Sequence, residues 1–250
     1  MALHRFFAEG PVPAGGPLPL DAPTLHHLRD VLRLAAGDEI VVVGEGVPFR
    51  VRLTAVGDVV EGERVEQLPA QRLPRVTLVQ GLAKGEKMDD VVRQATEIGV
   101  SRIVPFAAER SVVKLDPGKA EARAERWRRI AAEAAQQSQR ADIPEVAGLR
   151  RSSELPVSLS GSVVLVCWED AAGTPGIAGA LGRIAPSEDT DVAIVVGPEG
   201  GLTSAEVRAL VAAGAMAVTL GETVLRTETA GVVAAAIAIH ARGGLGGRHA

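Results

Sequence analysis

Two short stretches hold the residues best able to do chemistry. In "IVVGPEGGLTSAEV", Ile194 to Val207, a β-branched run stops at Gly197-Pro198, passes Glu199 and the pair Gly200-Gly201, and enters a helix start at Thr203. In "LGETVLRTETAGVVAAA" a second apolar run ends at Leu220-Gly221, and a short connector carrying Leu225 and Arg226 leads into an apolar helix from about Thr229. Adjacent glycines let the backbone take conformations closed to other residues and come close to a flat ligand. Thr203 and Glu206 have the spacing of a capping box, which would hold the first loop rigid. An arginine at the mouth of a sheet, beside a helix start, can meet an anion or a polar base edge. Alternatively it pairs with Glu222 or Glu228.

Neither loop is a phosphate cradle. "GLAKGEK", Gly81 to Lys87, is one residue short of a P-loop, and no Ser or Thr follows its lysine; "GPEGG" is not the dinucleotide fingerprint. The five histidines, His4, His26, His27, His240 and His249, lack metal-site spacing, so no metal is expected. The single cysteine, Cys167, sits in the apolar run "SVVLVCWED" and reads as a buried strand residue, not a nucleophile.

With 250 residues and 46% hydrophobic content, the chain can bury a sizeable core. A net charge of −4 gives no global basic field, so any RNA contact must be local. Aromatics at 2% argue against binding single strands through a row of stacked rings. The longest apolar run falls short of the ~20 residues of a membrane span, and the N-terminus lacks secretory signal features. A cytoplasmic protein is expected.

The elements that must position the two loops follow from periodicity. Before residue 72, "DAPTLHHLRDVLRL" predicts an amphipathic helix with Leu25, Leu28, Val31 and Leu32 on one side. Three strand-like runs follow, punctuated by Gly-Glu-Gly and Gly-Asp, as in a small β-rich domain. "LPAQRLPR" reads as a linker. From residue 73 the pattern alternates apolar strand and helix, with Gly99 as a helix C-cap, which predicts an α/β fold with a parallel sheet covered on both faces. Ligands of such sheets bind outside the carboxyl ends of the strands, here the loops after Gln80, Val196 and Leu220. The segment Lys119 to Arg140 predicts a long helix with Lys119, Arg123, Arg126 and Arg129 on one face, read either as a solvated surface stitched by pairs such as Arg129 with Glu133 or as a phosphate-contacting one.

"GPEGGLTSAEV" followed by "LGETVLRTETA", with "QGLAKGEKMDDVVRQATEIGV" upstream, resembles the RsmE family of SPOUT ribosomal RNA methyltransferases, which methylate N3 of a uridine in 16S rRNA. The resemblance covers essentially the whole chain, including "RFF", "HHLRDVLRL" and "ERSVVKLD". One departure is visible: "QQSQR", Gln136 to Arg140, stands where the family has Glu-Gln-Ser-Gly-Arg or similar.

The resemblance implies a PUA-like RNA-binding domain over 1–72 and a SPOUT methyltransferase domain over 73–250, threaded into a trefoil knot and paired as a homodimer. It implies S-adenosylmethionine, held by main chain around Val196, Gly197, Pro198, Gly200, Gly201, Leu220, Gly221, Leu225 and Arg226. For the chemistry it implies a donor to the uracil carbonyls, for which Arg226 is the candidate, and a proton acceptor, for which Glu199 and Glu228 are candidates. Contacts to 16S rRNA or the small ribosomal subunit are expected from Arg5, Arg33, Arg110, Lys114 and Arg140. Two other functions share these features: a SPOUT enzyme acting on a ribose 2′-OH or another base, and a non-catalytic RNA-binding assembly factor.

Overall fold

The computed structural model describes residues 3–70, 72–111, 117–169 and 173–246. The chain forms two compact units, Met1–Gln71 with Ala135–Asp142, and Arg72–Ala134 with Ile143–Ala250.

The first unit is built on a five-stranded sheet: β1 (Arg5–Phe7), β2 (Gly15–Pro17), β3 (Glu39–Gly44), β4 (Val47–Val56) and β5 (Val60–Gln67), in the order β1-β3-β4-β5-β2. Strand β1 runs parallel to β3, and the other pairs are antiparallel. The β3–β4 hairpin turns on Glu45-Gly46, both with positive φ, 52° and 78°, the backbone of a two-residue turn that matches strand twist. Inward residues of the sheet, among them Phe6, Ile40, Val42, Val51 and Leu53, bury against Leu28. Leu28 lies in helix α1 (Ala22–His26) and its continuation His27–Val31, a π-helical turn with Asp21 capping the start. That wider turn breaks the 3.6-residue repeat, so Val31, expected on the apolar side, is 58% exposed.

The second unit holds a seven-stranded, wholly parallel sheet. Its elements in chain order are β6 (Val76–Gly81), α2 (Lys87–Ile98), β7 (Arg102–Ala107), α3 (Pro117–Gln137), β8 (Glu145–Val146), β9 (Arg150–Arg151), α4 (Leu155–Ser158), β10 (Val163–Cys167), α5 (Ile177–Ile184), β11 (Val192–Val196), α6 (Ser204–Ala212), β12 (Met216–Val218) and α7 (Thr227–Ala241). The strands lie in the order β12-β10-β11-β6-β7-β8, with β9 also on β7. Pro105 explains why two short strands flank β7: β8 pairs with Arg102 and Ile103, β9 with Phe106 and Ala107, and the ladder is interrupted between them, where proline has no N–H to give.

Both faces of the sheet are covered, as near-continuous apolar strands require. Leu78, Leu165 and Ile194 face one cluster, with Met88 and Val91 of α2, Trp127 of α3 and Ala234 and Ala238 of α7. Val79, Val166 and Val195 face the other, with Leu155 of α4 and Val207 and Leu210 of α6. Gly99 ends α2 in the left-handed region at φ 104°, as its position after the amphipathic run predicts.

Helix α3 ends in a left-handed residue that is not glycine. Gln139 has φ 61°. Its side chain donates to the Gln136 carbonyl at 3.2 Å and accepts from Arg5 Nε at 3.3 Å, contacts a glycine could not make. The left-handed conformation costs a residue with a Cβ about 1 kcal/mol or more. Gln139→Ala therefore loses the contacts and keeps the strain, whereas Gln139→Gly loses only the contacts. Chemical denaturation is expected to find the alanine variant less stable than the glycine variant by about 1 kcal/mol.

Candidate active site

A cleft of about 500 Å³ opens at the carboxyl ends of β10, β11 and β12. Its walls come from three loops: Cys167 to Glu169 after β10, Gly197 to Leu202 after β11, and Thr219 to Arg226 between β12 and α7. Val196, Gly197, Pro198, Gly201, Leu220, Gly221, Leu225 and Arg226 all line it.

Gly200 does not line the cleft. Its α-carbon faces the neighbouring loop, and a Cβ there would stand 2.9 Å from the Arg110 carbonyl oxygen. The glycine is required by packing of protein on protein. Gly201 and Gly221 hold positive φ, 68° and 114°, and Gly197 is pressed by Gly201 and Leu202. The capping box at Thr203 is formed: Thr203 N–H donates to Glu206 Oε2 at 2.8 Å and Glu206 N–H to Thr203 Oγ1 at 3.2 Å. Glu206 also accepts the Glu109 N–H at 2.8 Å, which fastens the loop after β7 to the start of α6. Burial pushes the Glu206 carboxyl up, but the N–H groups of Thr203 and Glu109 and the hydroxyls of Ser152 and Thr203 more than offset it, leaving it below the ordinary glutamate value.

Behind the cleft runs a buried hydrogen-bonded chain that the sequence did not announce. Gln80, at the end of β6 and fully buried, donates from Nε2 to Thr227 Oγ1 at 2.9 Å. The Thr227 hydroxyl then donates to the Gly197 carbonyl at 2.5 Å. Gln80 Oε1 is turned to α7 at Gly231, where a Cβ would lie 2.1 Å from it.

Of the three candidate catalytic residues, Arg226 and Glu199 line this cleft and Glu228 does not. Arg226 is the N-cap residue of α7, exposed, and makes no ion pair among the described residues, so neither Glu222 nor Glu228 holds it. Glu199 Oε1 accepts the Lys84 N–H at 3.0 Å and lies 3.2 Å from Lys87 Nζ. Glu228 Oε2 lies 3.3 Å from the same Nζ. Burial pushes the Glu199 carboxyl up; the N–H groups of Lys84 and of Glu199 itself, with the Lys87 ammonium, outweigh it and leave the group below its ordinary value. Lys87, considered in the sequence only against a P-loop, lies at the start of α2. It could have been found from adjacency, since β6 and β11 are neighbours and their carboxyl-end loops must meet. Cys167 also lines the cleft, but burial pushes its thiol up to about 12, so it stays neutral and unreactive.

The expected RNA contacts divide. Arg33 and Arg110 are exposed, and Arg110 Nη1 lies 3.5 Å from the Gly200 carbonyl. Arg140 has a side chain only 3% exposed that pairs with Asp142 at 2.7 Å within the first unit. Arg5 is half-buried and donates to the Arg140 carbonyl at 2.9 Å, and burial lowers it below the ordinary arginine value. Lys114 lies outside the described residues. On α3, Arg126 turns to Asp89 of α2, which also accepts from Trp127 Nε1 at 3.0 Å, and Arg128 pairs with Glu121 at 2.8 Å. Ion pairing thus accounts for these two arginines. Among the described residues no group of acidic, histidine or cysteine side chains could hold a metal.

Residues 71–239 match a family model described as an RNA methyltransferase domain, which is the class this sheet and its cleft define. Among curated relatives, the ribosomal RNA small subunit methyltransferase E of Bacillus subtilis (strain 168) is 36% identical over 212 residues, 82% of this chain and 83% of that protein. The enzyme of that name from Mycobacterium bovis is 35% identical over 244 residues, 94% of this chain and 90% of that one. A crystal structure of the Neisseria gonorrhoeae ribosomal RNA small subunit methyltransferase E bound to S-adenosyl methionine superposes with a TM-score of 0.80 at 31% identity, covering 94% of this chain and 96% of that one. The chain belongs to the ribosomal RNA small subunit methyltransferase E family.

Two outcomes follow from the geometry. Thr227→Val leaves the Gly197 carbonyl without its hydroxyl donor and the buried Gln80 Nε2 without this acceptor, and should cost about 1–3 kcal/mol in denaturant unfolding, while Thr227→Ser should stay near the parent. Because Glu206 is held below its ordinary value, its contribution is complete above that value and is lost as pH falls through the folded one. The difference in melting temperature between the parent and Glu206→Gln should be largest near neutrality and shrink below about pH 4.

Proposed function

We propose that this chain transfers a methyl group from S-adenosylmethionine to N3 of a uridine in small-subunit ribosomal RNA. The observation that carries the reading is a cleft at the carboxyl ends of three adjacent parallel strands, lacking a phosphate-binding lysine turn, with Arg226 in its lining. The residues fit this cofactor. The volume lies in the range of roughly 300–1,000 Å³ usual for small-molecule sites, and Glu169, Glu199 and Glu222 in its lining suit a positively charged sulfonium.

When bound, the cofactor supplies an electrophilic methyl carbon on sulfur. The chain's own residues do the rest. The loops after β11 and β12 hold the purine by main-chain N–H and C=O groups, and the Gln80–Thr227–Gly197 chain fixes their spacing. Uridine N3 lies on the pairing edge, so the base must be unpaired or flipped to reach the site. Arg226 donates to a uracil carbonyl as negative charge spreads onto it, which favours loss of the N3 proton. Glu199 or Glu228 takes that proton, directly or through an ordered water.

Residues 1–72 serve, on this reading, as a PUA-like RNA-binding domain ahead of a SPOUT methyltransferase domain over 73–250. The return of the chain from β12 at the sheet edge to α7, which starts against the loop after β11, supports a trefoil knot. Val232, Val233, Ala236 and Ile237, half-buried on α7, support pairing of two copies through this helix. Arg33 and Arg110 are the exposed candidates for phosphate contacts, and Lys114 remains with them by sequence. No helix among the described residues is long and apolar enough to cross a membrane, and the proposed substrate places the protein in the cytoplasm.

Labelled methyl transfer to unmodified 16S rRNA or small subunits, followed by nucleoside mass spectrometry, is expected to yield 3-methyluridine. Methylated ribose or another base would overturn the N3 assignment, and no transfer with no cofactor binding would overturn the enzyme. Arg226→Ala should lower kcat roughly 100-fold at saturating cofactor. Cofactor at about 100 times its Kd should add about 2.7 kcal/mol to stability.

A further inference from the structure

Glu199 and Glu228 lie in parts of the chain separated by the whole of α6 and β12, yet both reach one cation. Lys87 Nζ stands 3.2 Å from Glu199 Oε1 and 3.3 Å from Glu228 Oε2. The three side chains are 36%, 27% and 23% exposed, so the cluster is partly withdrawn from water. Three elements meet at this point: the first turn of α2, the loop after β11 and the first turn of α7. The Lys84 N–H adds a second donor to Glu199, so the segment before α2 grips that carboxylate twice.

The other charged groups nearby do not compete for the ammonium. Glu86 faces Arg126 at 3.7 Å and Asp90 pairs with Arg93 at 2.6 Å. Glu169, Glu222 and Arg226 line the cleft but form no ion pair with the cluster among the described residues. The Lys84 side chain likewise makes none there. Without Lys87, two carboxylates would converge on one place with no cation between them, and like charges in a half-buried site raise each other's proton affinity. The lysine is itself held above its ordinary value by Glu199 and then Glu228, so it remains charged wherever the carboxylates do.

We propose that Lys87 is a positioning residue for methyl transfer: its ammonium ties the Glu199 loop to the start of α7 and fixes both carboxylates in place. Lys87 does not touch the base. It acts through the two glutamates, and when one of them accepts a proton the ammonium keeps the other ionised beside it. This inference rests on the methyltransferase reading, and its test separates the two.

The experiment compares Lys87→Met and Lys87→Arg with the parent. The first readout is a carbon-detected NMR titration of the Glu199 carboxyl in the protein without cofactor or RNA. In Lys87→Met it should titrate at higher pH than in the parent, and Lys87→Arg should restore it. The second readout is single-turnover methyl transfer against pH at saturating S-adenosylmethionine. The acidic limb should move upward in Lys87→Met and the plateau should fall roughly 10- to 100-fold, as expected for misplaced catalytic groups, with recovery in Lys87→Arg. A Glu199 titration that does not move in Lys87→Met overturns the proposal, as does an unmoved pH profile in an active variant or a loss equally deep in both variants. If the parent itself produced no methylated nucleoside, the functional reading would fall while the titration still judged the ion cluster. Should Lys87→Met fail to fold, Lys87→Gln, which keeps a polar end, carries the same titration.

Discussion

The seat of the Gln80 carboxamide on α7 is the constraint on which the site depends. Gln80 ends the central strand β6, and its side chain is enclosed by protein. Nε2 reaches Thr227 and Oε1 presses on Gly231, four residues along the helix and therefore on the same face. The Thr227 hydroxyl has one proton, given to the Gly197 carbonyl, so it must accept from Gln80, which fixes which end of the amide points where. One side chain thus sets the height and rotation of α7 and, through Thr227, the position of the loop after β11. Gln80 Oε1 has no hydrogen-bond partner among the described residues, a cost the fold retains for this close contact. The loop after β11 and the start of α7 both wall the cleft, so its shape depends on such a fastening.

Charge divides the labour between the cleft and its rim. Glu169, Glu199 and Glu222 line the cleft against Lys87 and Arg226, and Lys87 is committed to Glu199 and Glu228. An interior with excess negative charge suits a cationic cofactor and repels a phosphate backbone. A polynucleotide must then be attracted by exposed cations outside the cleft, with only the base entering. Arg110 is proposed for that role: its backbone lies against Gly200 and its guanidinium comes within 3.5 Å of that residue's carbonyl. Arg226 is left as the cation inside the cleft that no carboxylate neutralises among the described residues.

Local rules made much of this legible. Alternating strand and helix patterns specified the parallel sheet and its two covered faces, and Thr203 with Glu206 specified a cap that the structure forms. What stayed hidden was long-range or depended on local departures from ideal geometry. Gln80 and Thr227 are 147 residues apart and each is unremarkable in its own segment. Lys87 meets its acids only because β6 and β11 are adjacent, which strand order reveals and strand composition does not. The π-helical turn after His26 moved Val31 off the face that a regular helix would give it. The pairing of Arg140 with Asp142 was likewise hidden, because the last turn of α3 belongs with the first unit.

The glycines of the two loops answer different needs, and that difference bears on what the cleft can tolerate. Gly200 is small because another loop crosses it, so its replacement would act first on the Arg110 segment and only through that on a ligand. Gly201 and Gly221 are glycines because their φ values are positive, and nothing lies within 4 Å of where a Cβ on Gly221 would point. At Gly221 the restriction is therefore conformational: a side chain would have room but the turn itself would be strained. Thr219 reinforces that turn, accepting the Gly221 N–H at 3.1 Å and donating to its carbonyl at 3.2 Å. The loop after β12 is thus shaped by its own short-range bonds and by the Pro175 carbonyl, which accepts the Thr219 N–H at 3.1 Å, whereas the loop after β11 is shaped by Thr227, Arg110 and Glu206. A ligand held by both would bridge two turns that are each fastened to other parts of the sheet, so disturbances elsewhere in the fold should reach it from either side.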